Sequence, residues 1–251
     1  MKRVLRIVGV LIVAFSVGSW LHYIRAPKSR VHAPTTRYHG YMLNWLAINK
    51  AKSFTVLISS EGFGGIARGT GVLIDATHVL TCAHMVESPN DDLWIFPYPV
   101  AVVAKGKPIV VSRGVDLAIL ELNRAIVVPH YPIFQEMHYD GEPITIIGNI
   151  LGAMRWFTTF GIVSGEWDNF LLTDGVLYGG NSGGPWINER GEIVALTDWT
   201  LVLSKGKESD IHGGIPAKTI HEFLAAWKQP SIEQILQVLM GSDAQIHKEV
   251  K

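Results

Sequence analysis

The sequence predicts a mainly β fold, on three observations. From Ser53 onward, short apolar and β-branched runs alternate with turn residues. The 25 glycines and 12 prolines are spread without period, which excludes collagen and coiled coil and supplies many turns. Regular helical pattern in that region is confined to its C-terminal end. About eleven strands without intervening helices argue for antiparallel barrels or sandwiches.

Residues 1–30 come first in chain order. Ile7 to Ile24 is an 18-residue stretch without a formal charge. As a helix it would span about 27 Å, close to the ~30 Å hydrocarbon core of a bilayer. Trp20 and Tyr23 suit the membrane interface, and Lys2, Arg3, Arg6, Arg25, Lys28 and Arg30 flank the stretch. A transmembrane anchor is expected, in preference to a buried helix. A cleavable signal peptide ending near Ser16-Val17-Gly18 is the competing reading. It is disfavoured because the apolar run continues past those small residues.

Residues 31–52 read as a linker and a short helix. Ala26 to Gly40 has two prolines and scattered basic residues, and Tyr41 to Lys52 is amphipathic. Its Met42, Trp45, Leu46 and Ile48 are expected to pack on the following domain. Residues 53–228 hold the strands: Phe54–Ser59, Gly69–Asp75, His78–Cys82, Leu93–Tyr98, Ile109–Ser112, Asp116–Glu121, Pro143–Ile147, Trp156–Ser164, Phe170–Thr173, Ile193–Asp198 and Gly213–Ile215. Helices are expected at Pro216–Trp227, where proline sits early enough to cost little, and at Ser231–Met240 within a C-terminal tail, 229–251.

Charge and composition narrow the function. Residues 1–60 hold nine Lys/Arg and no Asp/Glu, while the rest holds 13 basic against 22 acidic residues. A basic head on an acidic body suits an anionic membrane surface and disfavours nucleic acid as partner of the folded part. With 48% hydrophobic and 18% charged residues, the chain is not disordered as its main state. A single cysteine excludes an intramolecular disulfide framework and a four-thiolate metal site. The histidines show no paired-ligand spacing, so no metal and no cofactor are expected.

Gly179-Gly180-Asn181-Ser182-Gly183-Gly184-Pro185 is the sharpest motif. A serine bracketed by glycines lets backbone N–H groups converge on one point and leaves room for a substrate carbonyl. Taken alone, a glycine-rich hairpin turn explains it equally well. Two upstream segments add to it: Thr81-Cys82-Ala83-His84 closes one strand and Asp116-Leu117-Ala118-Ile119-Leu120 opens another. A serine nucleophile needs a base, and the base needs a carboxylate to fix its tautomer. His84, Asp116 and Ser182 supply the three.

This set resembles the trypsin-like serine proteases, and more closely their HtrA/DegP branch. Gly69 to Asp75, Gly148-Asn149 with Gly152, Phe160 to Ser164, Thr173-Asp174, Gly191 to Val194 and Gly213 to Pro216 carry the likeness to that branch. The resemblance covers roughly residues 53–228. It implies two six-stranded antiparallel β-barrels with a triad in the cleft between them. Ser182 would be the nucleophile, His84 the general base and Asp116 the orienting carboxylate, with an oxyanion hole from the N–H groups of Gly180 and Ser182. Substrate-binding positions would be Val176, as an apolar floor for a small or aliphatic P1 side chain, and Thr197, as a hydroxyl beside the buried carboxylate. Asp198 has two readings, cleft lining and plain exposure. Substrates would be polypeptides in extended or unfolded segments.

Departures from the family pattern are also informative. Asn181 replaces the aspartate that trypsin-like zymogens use for activation. The 23 residues after Lys228 are too few for a PDZ domain. The expectation is a single-pass membrane serine endopeptidase with its protease domain on the extracytoplasmic side, the oligomeric state open and a homo-oligomer among the alternatives. Two other functions stay open: a non-catalytic protease-like binding module, and an esterase-type hydrolase in which Gly180-Asn-Ser182-Gly-Gly184 forms an elbow with Asp198 and His212 or His221.

Overall fold

The computed structural model describes residues 37–38, 41–42, 44–60, 67–88, 90, 92–100, 102–150, 154–203 and 207–228. The expected anchor at 7–24 and the expected helix Ser231–Met240 lie outside the described residues. Among the described residues, no helix is long and apolar enough to cross a membrane.

Two short strands, β1 (Arg37–Tyr38) and β2 (Tyr41–Met42), pair with each other ahead of helix α1 (Trp45–Phe54). Asn44 caps α1: its side-chain oxygen accepts from the N–H groups of Leu46 at 3.1 Å and Ala47 at 3.2 Å. The buried face is Ala47, Ala51 and Phe54. Leu46, expected to pack on the domain, is instead 71% exposed. Ile48 packs against the core as expected, while small alanines let the helix lie close and Phe54 is the anchor.

The first barrel uses β3 (Thr55–Ser59), β4 (Ala67–Leu73), β5 (His78–Cys82), β6 (Leu93–Pro97), β7 (Ala104–Ser112) and β8 (Leu117–Leu122). It closes in the order β3-β4-β5-β8-β7-β6. The second uses β9 (Pro143–Ile150), β10 (Met154–Trp167), β11 (Phe170–Thr173), β12 (Pro185–Ile187), β13 (Ile193–Leu203) and β14 (Lys207–Pro216). It closes as β10-β11-β14-β13-β12-β9. All named ladders in both are antiparallel. Closure removes the open edges that invite aggregation. Helix α2 (Ala217–Lys228) follows β14 and buries Ala217, Ile220 and Leu224.

The barrels belong to one compact unit and share a core. The larger apolar cluster runs from Val56, Ile58, Leu80 and Ile119 to Ile147, Ile187, Ile193 and Ile215. A smaller cluster around the fully buried Trp186 fills the second barrel. Each such side chain stabilises the fold by ~1.5–3 kcal/mol through burial.

Polar bonds also cross between the barrels. Asn149 on β9 donates from Nδ2 to the Val56 carbonyl at 3.2 Å and to the Thr70 hydroxyl at 3.1 Å. Trp156 on β10 donates its indole N–H to the Thr55 carbonyl at 2.8 Å. Its own backbone N–H reaches Asn149 Oδ1 at 2.9 Å. Trp156 holds φ at +49°, a strained value for a bulky residue, and these bonds fix it there.

Candidate active site

His84 sits in a single 3-10 turn, Ala83–Met85, at the end of β5. Arg113 clamps that turn: its guanidinium donates to the Ala83 carbonyl at 2.5 Å and to the Val86 carbonyl at 2.6 Å. Asp116 precedes β8 in the turn from β7, with φ at +51°, a left-handed conformation that aspartate tolerates better than most residues. It grips the histidine turn at three points. Its carbonyl accepts from the Ala83 N–H at 2.9 Å. Oδ1 accepts from the His84 backbone N–H at 2.8 Å, and Oδ2 lies 2.5 Å from His84 Nδ1. That geometry places the second ring nitrogen, Nε2, free to act as a base.

Ser182 arrives from the second barrel, on the turn before β12. Its carbonyl accepts from the Thr70 N–H at 2.9 Å. Gly183, next in the chain, donates to the Thr197 carbonyl at 2.8 Å. It has φ at +78°, and a Cβ there would lie 2.2 Å from the Thr70 carbonyl and 2.5 Å from the Thr81 hydroxyl. Only glycine fits so close an approach, which brings the serine turn against the strand that ends in His84. Among the described residues, no hydrogen bond joins the Ser182 hydroxyl to His84. Such nucleophile–base bonds often shorten only in the complex with substrate.

The backbone N–H groups of Gly180 and Ser182 have no acceptor among the described residues. Two free donors one residue apart are what an oxyanion hole needs. Thr70 steadies them. Its hydroxyl donates to the Gly180 carbonyl at 2.7 Å and accepts from Asn149 N–H at 3.0 Å. Thr70 is fully buried. Sequence reasoning passed over it as a strand residue; the one available signal was its place between Gly69 and Gly71, where a tight backbone approach is expected.

The other expected residues lie as follows. Val176 is 49% exposed on the segment before the serine, while the adjacent Leu177 is buried. Thr197 is turned away from the carboxylate: its hydroxyl accepts from the Trp186 indole N–H at 2.9 Å. Asp198 takes the place expected of it. Between Thr197, paired with Gly214, and Trp199, paired with Gly213, the ladder shifts register and leaves Asp198 as the extra residue. Such a bulge re-aims a side chain. Asp198 Oδ1 lies 3.9 Å from His84 Nδ1, and a carboxyl oxygen of Asp198 lies within 4.8 Å of one of Asp116.

These neighbours set the ionisation of the site. The hydrogen bond that His84 donates to Asp116 raises the His84 pKa above its ordinary value, outweighing burial. Burial pushes Asp116 up, but the hydrogen bonds from His84 and Asp198 hold it below the ordinary value. Burial, with the hydrogen bond and charge of Asp116, pushes Asp198 up to about 7. Burial pushes the Cys82 thiol well up, and the charges of Asp116 and Asp198 add to it. Cys82, His84, Asp116 and Asp198 bring metal-ligating atoms within 4.8 Å of one another. Hydrogen bonds already use His84 Nδ1 and the thiol, which donates to the Thr197 carbonyl at 3.2 Å. The thiol stays protonated and is a poor metal donor.

The esterase elbow is not formed. The chain leaves Ser182 into strand β12, where that elbow needs a helix. His212 is buried on β14, and His221 pairs with Glu136 at 2.6 Å.

The family profile described as "Trypsin-like peptidase domain" matches residues 69–196, just over half of the chain. This chain belongs to the trypsin-like peptidase family. Its trypsin-like relatives include the HtrA-type proteins. "Serine protease Do-like HtrB" of Bacillus subtilis (strain 168) is 29% identical over 179 residues, covering 65% of this chain and 36% of that protein. "Serine endoprotease DegS" of Escherichia coli (strain K12) is 28% identical over 159 residues, covering 59% and 43%. The chain thus spans about two fifths of the length of these relatives. The crystal structure of a serine endoprotease from Yersinia pestis superposes with a TM-score of 0.64 at 23% identity, covering 74% of this chain and 66% of that one. That likeness is one of trypsin-like fold.

Proposed function

We propose that the protein is a serine endopeptidase in which Ser182 is the nucleophile. The observation that carries this is the doubly anchored His84–Asp116 pair beside a serine turn with two free N–H donors. His84 Nε2 takes the Ser182 hydroxyl proton as the oxygen attacks a peptide carbonyl. Asp116 holds the Nδ1–H and stabilises the imidazolium. The N–H groups of Gly180 and Ser182 take the oxyanion. His84 then gives its proton to the leaving amine and an acyl-enzyme forms on Ser182; a water that gives its proton to His84 attacks the acyl carbon, and His84 returns that proton to the departing Ser182 oxygen.

Extended or unfolded polypeptide segments that add as a strand along the cleft fit this reading as substrates. Val176, as the apolar floor of the P1 pocket, favours a small or aliphatic side chain there. Residues 1–30 tether the chain to a membrane, with 53–228 as the protease domain on the extracytoplasmic side. A second reading, a non-catalytic binding module, draws on the absent Ser182–His84 bond.

A fluorophosphonate probe separates the two. The peptidase reading expects labelling of the full chain, none of Ser182→Ala, and cleavage of a denatured protein such as unfolded casein. No labelling at any pH from 5 to 9 sinks it and favours the binding module. For the tether, the full chain should stay with membranes through alkaline carbonate washing; release into the wash would refute it.

A further inference from the structure

We propose that Asp198 is a positioning residue of the active site: its carboxyl, when protonated, donates to Asp116 where a small hydroxyl was expected, and its ionisation makes the setting of His84 depend on pH. This deepens the peptidase reading and rests on it for its kinetic consequences.

The geometry is specific. The bulge in β13 leaves Asp198 without a ladder partner and turns it out of the second barrel. Its side chain is only 10% exposed. It meets three groups from the first barrel: Asp116 from the turn before β8, His84 from the 3-10 turn and Cys82 from β5. Arg113 supplies the remaining charge, acting on His84 from the β7–β8 turn. The Thr197 hydroxyl accepts from the Trp186 indole, and among the described residues no hydrogen bond joins it to Asp116.

Two carboxyl groups this close cannot both carry full charge at little cost. One proton shared between them solves this. It leaves Asp116 charged toward His84 and makes Asp198 a donor, as a serine or threonine hydroxyl would be. The Cys82 thiol donates elsewhere, and Arg113 is spent on the Ala83 and Val86 carbonyls. Neither neutralises a second carboxylate. When Asp198 loses its proton to solvent, the donor to Asp116 disappears and a second negative charge faces the imidazole. His84 is then held in its charged form, unable to accept from Ser182.

The test compares the full chain with Asp198→Asn and Asp198→Ala, by carbon NMR of the aspartate carboxyls, nitrogen NMR of His84 and kcat/KM against pH. The Asp198 carboxyl resonance should titrate near neutrality. Asn, which can still donate to Asp116, should move the His84 midpoint and the acid limb of kcat/KM down by about 1 pH unit, the effect of removing one nearby charge. On the plateau above the acid limb, where His84 is neutral in every variant, Asn should stay within about threefold of the parent in kcat, against about a tenfold loss for Ala, which donates nothing. An Asp198 resonance titrating near pH 4, an unmoved His84 midpoint in Asn, or equal losses in Asn and Ala would overturn the proposal. The NMR arms read without turnover. Linked Asp198 and His84 titrations in a chain that cleaves nothing would uphold the carboxyl arrangement and reject the peptidase reading alone.

Discussion

His84 is held by its own backbone as much as by its ring. Asp116 grips the turn through one carbonyl and two carboxylate oxygens. Asp116→Asn should therefore keep the fold and lower turnover by about 10⁴, as loss of the orienting carboxylate does in such triads. An unchanged rate would show that Asp198 or another group serves the imidazole. Ser182→Ala and His84→Ala should abolish turnover and leave Tm within a few degrees, because Ser182 enters the hydrogen-bond network through its backbone. The pH dependence has a definite sign. His84 must be neutral to act as base and its pKa is raised, so activity rises with pH through a midpoint above the ordinary imidazole value. Stability runs the other way around Asp198. A carboxyl that binds its proton more tightly in the fold favours the folded state below its unfolded value near 4, and that advantage fades as pH climbs to about 7. Asp198→Asn should accordingly raise Tm at pH 8 and do little at pH 4. At this scale, His84 and Asp116 were legible in the sequence because a strand-end histidine and a strand-start aspartate are chemically distinctive. The position of Asp198 was not, since a one-residue bulge reverses which neighbour faces the cleft, and Thr197 and Asp198 are adjacent in the chain.

Among the elements, the strands with uninterrupted apolar runs were the readable ones. His78–Cys82 and Phe170–Thr173 have the expected bounds. β7 begins at Ala104, five residues before its expected start, because Lys105, Lys107 and Pro108 break the apolar run on a face that is partly exposed. β12 is three residues long and starts at a proline after a glycine turn, so no period marks it. The hub of the serine turn is β4. Thr70→Val keeps the shape but removes the donor to the Gly180 carbonyl and the acceptor for Asn149. We expect it to cost about 1–3 kcal/mol in unfolding free energy, the penalty of leaving buried polar groups unpaired, and about tenfold in kcat through a looser oxyanion hole. Denaturant melts and kcat measured side by side check this. A stable variant with full activity would remove Thr70 from the machinery. Gly148→Ala strikes the same turn from β9, since a Cβ there would lie 2.3 Å from Asn181 Oδ1. Its effect should fall on kcat at unchanged secondary structure by circular dichroism.

At the scale of the whole molecule, a triad split between barrels ties catalysis to their union. His84 and Asp116 come from one barrel and Ser182 from the other. The shared apolar cluster and the Asn149 and Trp156 bonds are what hold the halves in register. Trp156→Phe deletes the indole donor to the Thr55 carbonyl, and should cost more in activity at 45 °C than at 25 °C as the halves loosen. Two barrels followed from a family likeness in short motifs, not from counting strands, because antiparallel runs alone fit sandwiches equally well.

The lone Cys82 thiol, fully enclosed and bonded to the Thr197 carbonyl across the seam, is a built-in clock for opening of that seam. A small alkylating reagent can reach it only when the halves part, so the rate of its modification counts partings directly. A covalent inhibitor bridging both halves should slow that clock.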